Sequence, residues 1–332
     1  MKKSSKILIL LIFLFGLISC NENNLVKYEE EKFLFGTSVK IVIYGKNKKD
    51  LESLVKDTFN YMSEIENKYN SRYTESIIYK LNQNPTEFIE MDSTLKDMLE
   101  ESIKISELTN GKYDITIGPI LDLWGFNDLS RTTLPKEEEI SEKLKLVNYR
   151  DIQIENNKVK LKKIGERIDT GSFLKGYAIK KGKDYLVNKK VKNAMITAIS
   201  SIETIGQKPE NKPFKIGIQN PKKAGELLYS IDLNGKALGV SGDYQTTIEL
   251  EGNKYHHLID ATTGKQSNYN SLVLVLGEDS YKTDLYSTGL FMMKAEEILE
   301  YIKKDRTMEV FIVDKNGKEY FSEGIKKYMK KI

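Results

Sequence analysis

The sequence predicts a chain that mixes α-helices and β-strands in one body, and three observations carry that reading. Residues 33–44 alternate in period two, with Val39, Ile41 and Ile43 on one face, as a half-buried strand does. Residues 48–69 place Leu51, Leu54, Val55, Phe59, Met62, Ile65 and Tyr69 at helical spacing, which makes an amphipathic helix. After residue 31 such segments follow one another with no repeat and no clean linker, so residues 33–332 read as a single domain.

The chain has 332 residues, ample for a large core. Its net charge of +4 is small against 52 basic and 48 acidic residues, and no basic block is interleaved with aromatics, which argues against a nucleic-acid surface. The one cysteine precludes an internal disulfide. Lys2, Lys3 and Lys6 precede an apolar run over residues 7–18, broken only by Gly16, and then Ser19-Cys20. A basic start, a short apolar segment and a small residue at its end describe a secretory signal, too short to span a membrane as a stable helix. Leu17-Ile18-Ser19-Cys20 resembles a bacterial lipoprotein processing box, with Ile18 where a small residue is usual. That resemblance implies removal of residues 1–19 and acylation of the Cys20 thiol and its new amino terminus. The protein would then be exported and lipid-anchored to a bacterial membrane, facing the periplasm or the cell exterior. An ordinary signal or an uncleaved anchor is the alternative. Residues 20–32, polar and unpatterned, then read as a tether.

Further along, a helix over residues 94–108 ends at Asn110-Gly111. Gly111-Lys112-Tyr113-Asp114-Ile115-Thr116 follows, then Leu123-Trp124-Gly125-Phe126. Trp124, the one tryptophan, suits a flat surface that stacks a planar ring, and equally a core position beside a loop glycine. Pro135 and the acidic residues after it start a helix, and a turn at Asn156-Asn157 leads into a strand over 159–164. Ile168-Asp169 reads as a strand end, followed by small residues and a helix start, an arrangement that presents backbone amides to a phosphate; Lys175 adds a point charge for the same anion. The glycine and lysine spacing is not that of a P-loop. Residues 193–205 read as one apolar, strand-like run containing Ser200-Ser201, and residues 214–218 alternate again. A hairpin turning at Glu251-Gly252-Asn253 delivers Tyr255-His256-His257-Leu258-Ile259-Asp260. Residues 272–276 are a buried strand. Asp284 and Thr288, four apart on the next helix, share a face where two hard oxygens could hold Mg²⁺ or simply cap the helix. A helix over 295–304, a strand over 309–313 and an Asn316-Gly317 turn close the chain.

Both histidines of the chain lie in that hairpin exit, side by side, with a carboxylate three residues after His257. Imidazole titrates near neutrality, so proton transfer has few other places to go. Alone, the pair fits a packed strand end as well as it fits catalysis.

Taken together and in order, these segments resemble the FAD:protein FMN transferase (ApbE) family over nearly all of residues 33–320. The resemblance rests on residues 111–116 with 123–126, Asp169 through Ala178, Ser241-Gly242-Asp243-Tyr244, His257-Leu258-Ile259-Asp260 with Thr263-Gly264, and Asp284 with Thr288. It implies an α+β fold, a single domain of mixed, largely antiparallel sheets with flanking helices. It implies an enzyme that takes FAD and Mg²⁺, attaches FMN through a phosphoester to a threonine of an exported or membrane redox protein, and releases AMP. By the same resemblance His257 is the base, with Asp260 to orient it. Asp284, Thr288 and the Ser172 carbonyl are the Mg²⁺ ligands. Phe35, Tyr73, Trp124, Gly125, Phe126, Asp169, Lys175 and Leu258 contact FAD, while His256 is structural. The chain departs from the family pattern at Thr197-Ala198-Ile199-Ser200-Ser201, where many members carry Asn-x-Gly-Gly, and a glycine pair permits a backbone approach that Ile or Ser does not. Phe35, Ser172 and Ala261 also replace commoner residues. Two other readings share these motifs: an FAD pyrophosphatase that gives free FMN and AMP, and a non-catalytic flavin-binding lipoprotein.

Overall fold

A computed structural model describes residues 25–127 and 131–332. The lipidation site expected at Cys20, and the signal before it, lie outside the described residues. No helix among the described residues is long and apolar enough to cross a membrane.

An eight-stranded antiparallel sheet forms the centre. From one edge to the other its strands are Val26–Leu34, Thr37–Gly45, Ala194–Ala198, Ser201–Ile205, Ala237–Gly242, Asn270–Gly277, Glu309–Asp314 and Glu319–Phe321. Successive side chains of a strand point to opposite faces, so a strand in the middle of a layered domain must be apolar on both. Asn270–Gly277 meets that demand. Val273 and Val275 enter the larger core, while Leu272, Leu274 and Leu276 enter a second core on the other face. Glu309–Asp314 divides in the same way, Val310 and Ile312 against Phe311 and Val313.

Helices cover the first face: α1 (Lys48–Tyr69), α3 (Ser93–Leu108), α6 (Leu174–Asn188), α7 (Ser280–Phe291) and α8 (Ala295–Asp305), with α2 (Ile77–Gln83) beside α1. A three-stranded sheet of Phe214–Gln219, Leu227–Leu233 and Met329–Lys331 covers the second. A satellite core joins α4 (Gly118–Trp124), α5 (Glu137–Leu144) and the hairpin Thr247–Leu250 with Asn253–His256. The α+β class and the antiparallel pairing agree with the expectation.

Three local expectations are corrected. The tether expected over 20–32 ends early, because the chain joins the sheet at Val26. Its charges are those of an edge strand: Lys27 pairs with Glu29, Lys40 reaches across to Glu29, and Lys32 pairs with Glu30. Residues 33–44 are not one strand. Phe35 and Gly36 both take positive φ, 55° and 69°, and form a two-residue hairpin turn that fits the twist of the strands it joins. Residues 193–205 are likewise two strands, turned at Ile199-Ser200.

At that second turn Ile199 holds φ 45° while 71% exposed. A β-branched residue in the left-handed region is strained, and little packing offsets the strain here. We expect Ile199→Gly to stabilise the fold by about 1 kcal/mol, read as a higher urea midpoint. A lower midpoint would mean the turn is not strained.

Candidate active site

The site grows from α7, a helix buried nearly all round. Two glycines let it seat. A Cβ on Gly239 would stand 2.1 Å from the Thr283 carbonyl oxygen, and one on Gly176 would stand 2.4 Å from the Ser280 carbonyl oxygen. Backbone therefore packs on backbone, and Asp284 of α7 comes up against the first turn of α6.

Asp284 is 4% exposed, and its carboxylate is well supplied with donors. Oδ2 accepts from the Gly176 N–H at 2.9 Å and Oδ1 from the Ser201 hydroxyl at 2.6 Å, with the Lys175 ammonium 3.7 Å from Oδ1. Lys175 Nζ itself donates to Ser200 Oγ at 2.8 Å. In a regular helix the Gly176 N–H would close on the Ser172 carbonyl; here it goes to Asp284, and that carbonyl is left for another partner. Ser172 is placed by its hydroxyl, 2.8 Å from the Tyr113 hydroxyl. One turn along α7, Thr288 Oγ1 lies 3.2 Å from Ser241 Oγ.

These are hard oxygen donors, a carboxylate, hydroxyls and a carbonyl, which suits Mg²⁺ and not a soft metal. Among the described residues no group of three or more His, Cys, Asp and Glu could hold a metal ion. A single carboxylate that shares its cation with substrate phosphates is an ordinary way to bind Mg²⁺. The Ser172, Asp284 and Thr288 set therefore fits that ion.

The segment 111–118 is the scaffold beneath both halves of the site. Buried Asp114 ties it down by accepting from the Thr116 N–H and hydroxyl and from the Tyr149 N–H. The Ile115 carbonyl then receives the Asp169 N–H, and the Lys112 carbonyl receives the Ala261 N–H. Asp169 closes a short extended stretch that bridges Ile117 at Arg167 in parallel, and its Oδ1 caps the Gly171 N–H at 2.8 Å. Its Oδ2 takes a weak bond from the Ser71 hydroxyl, at 3.4 Å. Beside Ser71, the Tyr73 hydroxyl donates to Glu66 Oε1, and the Phe35 N–H donates to the same oxygen. Phe35, Tyr73 and Asp169 are thus gathered on one side through Glu66 and Ser71.

His257 follows the strand Asn253–His256, and its Nδ1 lies 3.3 Å from the Thr246 carbonyl. A carbonyl only accepts, so Nδ1 carries the proton and Nε2 keeps a free lone pair, the form a base requires. Phe126 meets the ring edge-on, at 6.4 Å between centroids. Burial pushes the pKa of His257 down to about 4, against the pull of the Thr246 carbonyl, and the positive charges of Lys175 and Arg72 push the same way. Burial likewise sends buried His256, packed edge-on against Phe291, down to about 4.

In the unfolded chain both imidazoles titrate near ~6.5. Between that pH and about 4 the unfolded state binds protons that the folded state refuses, so this stabilisation is present above the window and is lost as pH falls through it. We expect the urea midpoint to drop from pH 7 to pH 5, and the drop to shrink in His256→Phe. An equal drop in that variant would remove His256 from the account.

Three expected roles change. Trp124 is no open stacking surface: it is 4% exposed, tilts against Tyr255, and satisfies its indole N–H on the Gly264 carbonyl at 2.8 Å. The next residue, Gly125, ends α4 in the left-handed region and turns Phe126 toward His257. Leu258 is buried in the larger core, so its side chain belongs to packing. Asp260 has no hydrogen bond to His257 among the described residues. Its Oδ1 accepts from the Thr262 N–H and hydroxyl, and so shapes the turn that ends at Gly264. The residue that holds the His257 ring is Thr246, through a backbone carbonyl that no side-chain motif announces. Ser201 was legible as a departure in loop shape, but its bond to Asp284 was not.

Residues 35–312 match the ApbE family model. An FAD:protein FMN transferase of Haemophilus influenzae is 28% identical over 298 residues, spanning 87% of this chain and 82% of that one. One of Vibrio cholerae is 27% identical over 289 residues, spanning 85% and 86%. The crystal structure of the ApbE protein of Thermotoga maritima is 28% identical and superposes with a TM-score of 0.84, over 92% of this chain and all of that one. The flavin transferase ApbE of Vibrio cholerae superposes with a TM-score of 0.83 at 24% identity, which speaks to fold alone.

Proposed function

The chain belongs to the ApbE family, and from that premise we propose that it is an FAD:protein FMN transferase that uses Asp284 to hold Mg²⁺ and His257 as its base. What supports this is a buried carboxylate at Asp284 set among oxygen and amide groups, together with an imidazole held at Nδ1 by the Thr246 carbonyl.

The acceptor is a threonine hydroxyl of another protein, a weak nucleophile until its proton is taken. His257 Nε2 takes that proton as the hydroxyl oxygen forms a bond to the FMN phosphorus, and the bond from that phosphorus to the bridging oxygen breaks. AMP leaves with the electron pair, and FMN remains on the threonine as a phosphoester. The Thr246 carbonyl keeps the imidazole in the tautomer this needs. Lys175 offers a positive charge to the pyrophosphate. Asp284, Thr288 and the Ser172 carbonyl would hold Mg²⁺, which would neutralise the charge that grows on the leaving phosphate. Phe35, Tyr73 and Phe126 offer the aromatic contacts for the flavin.

The proposed acceptor is an exported or membrane redox protein, reached from a lipid anchor at Cys20; the basic, apolar and Ser19-Cys20 sequence of residues 2–20 supports that placement. The test is release of AMP from FAD by the purified protein in the presence of a threonine-bearing acceptor peptide, followed by chromatography with Mg²⁺ and with EDTA. Release that EDTA stops and added Mg²⁺ restores is expected. Intact FAD under both conditions would leave only a flavin-binding protein.

A further inference from the structure

Asp284 is buried, and the Lys175 side chain is only 19% exposed, with its ammonium 3.7 Å from Asp284 Oδ1. Solvent screens such a pair little. An ammonium beside a buried carboxylate competes with any second cation for it, because both cannot stand there without repulsion and loss of hydration. The ammonium does not rest on Asp284 alone. Ser200 Oγ accepts from it at 2.8 Å, and Ser200 is fixed in turn, since its carbonyl receives the Val240 N–H of the neighbouring strand at 2.8 Å.

We propose that Lys175 is a built-in competitor of Mg²⁺ at Asp284, held in place by Ser200, so that the metal binds well only together with a pyrophosphate that draws the ammonium away. The inference rests on the reading of Asp284 as a metal ligand and adds an order of loading to it: metal with nucleotide, not metal first. Lysine suits the task because its charge is compact and its stem is flexible. From the first turn of α6 the ammonium moves between Asp284 and an anion near the Asp169-Thr170-Gly171 loop by side-chain rotation. Ser200 is thus a positioning residue that acts through Lys175.

The test is calorimetric titration of Mg²⁺ into the full chain in detergent, first without nucleotide and then with ADP, which offers a pyrophosphate and no flavin to transfer. Wild type is expected to bind Mg²⁺ at least about tenfold more tightly with ADP present, and Lys175→Met to bind Mg²⁺ alone about tenfold more tightly than wild type. Ser200→Ala should move the same way by about threefold, the low end of the net worth of one ordinary hydrogen bond, while Lys175→Arg should keep the weak binding of wild type. Lys175→Gln, which also removes the charge, guards against a folding defect in Lys175→Met, and thermal melts accompany each variant. If folded Lys175→Met and Lys175→Gln bind Mg²⁺ alone no better than wild type, while wild type binds it with ADP, the competition is refuted and the metal site stands. If wild type binds no Mg²⁺ even with ADP, the metal reading itself fails, and the inference falls with it.

Discussion

Asp284→Ala is expected to lower Mg²⁺-dependent FAD cleavage by on the order of 10³-fold or more, since in the proposed role it removes the carboxylate that would hold the cation and with it the neutralisation of the leaving phosphate. A second effect accompanies the first. The Gly176 N–H and the Ser201 hydroxyl both end on this carboxylate, and Ser201 is fully buried. Truncation leaves those donors without a partner, at a cost of about 1–3 kcal/mol each in fold stability where they stay dry. Asp284→Asn separates the two effects, because its amide oxygen still accepts a hydrogen bond while the charge is gone. We expect Asn to recover most of the thermal stability and little of the activity, read from melts and from AMP release across a Mg²⁺ titration. Full cleavage by either variant would place the metal elsewhere.

His257→Ala is expected to slow flavin transfer by about 10²–10⁴-fold, the usual worth of a positioned general base. The loss should fall on kcat, because in the proposed role the ring serves the acceptor proton and not the grip on FAD. Thr246 holds the ring through its carbonyl, so Thr246→Ala keeps that carbonyl and should retain transfer. A His257→Ala variant with unchanged kcat would leave the base to be found on another residue. Asp260→Asn tests the corrected role of its partner. Its amide oxygen can still accept from the Thr262 N–H, so transfer should change far less than in His257→Ala.

The site was legible where chemistry and spacing coincide. Asp284 and Thr288 are four apart on a helix, and the structure places both on the side of α7 that faces Ser201 and Ser241. Asp169, Ser172 and Lys175 belong to one short loop and helix start, so their grouping needed no knowledge of the tertiary fold. The middle of strand Asn270–Gly277, residues 272–276, was legible because it is apolar on both faces, which a central strand requires. What escaped depended on contacts distant in sequence or on unremarkable residues. The Phe35-Gly36 turn lies inside an alternation that continues through it, so periodicity gave no break. Asp260 stands three residues from His257, yet its own turn takes the carboxylate. Trp124 beside a glycine suited both a platform and a core position, and the Gly264 carbonyl that satisfies its indole in the core is 140 positions away.

The most direct test of the account is the mass of a threonine-bearing acceptor peptide after incubation with the purified protein, FAD and Mg²⁺, together with the amounts of AMP and free FMN formed. The account predicts one covalent FMN on the threonine for each AMP released, with none on a peptide carrying alanine at that position. Free FMN in step with AMP, on a peptide of unchanged mass, would contradict it and make the protein an FAD pyrophosphatase.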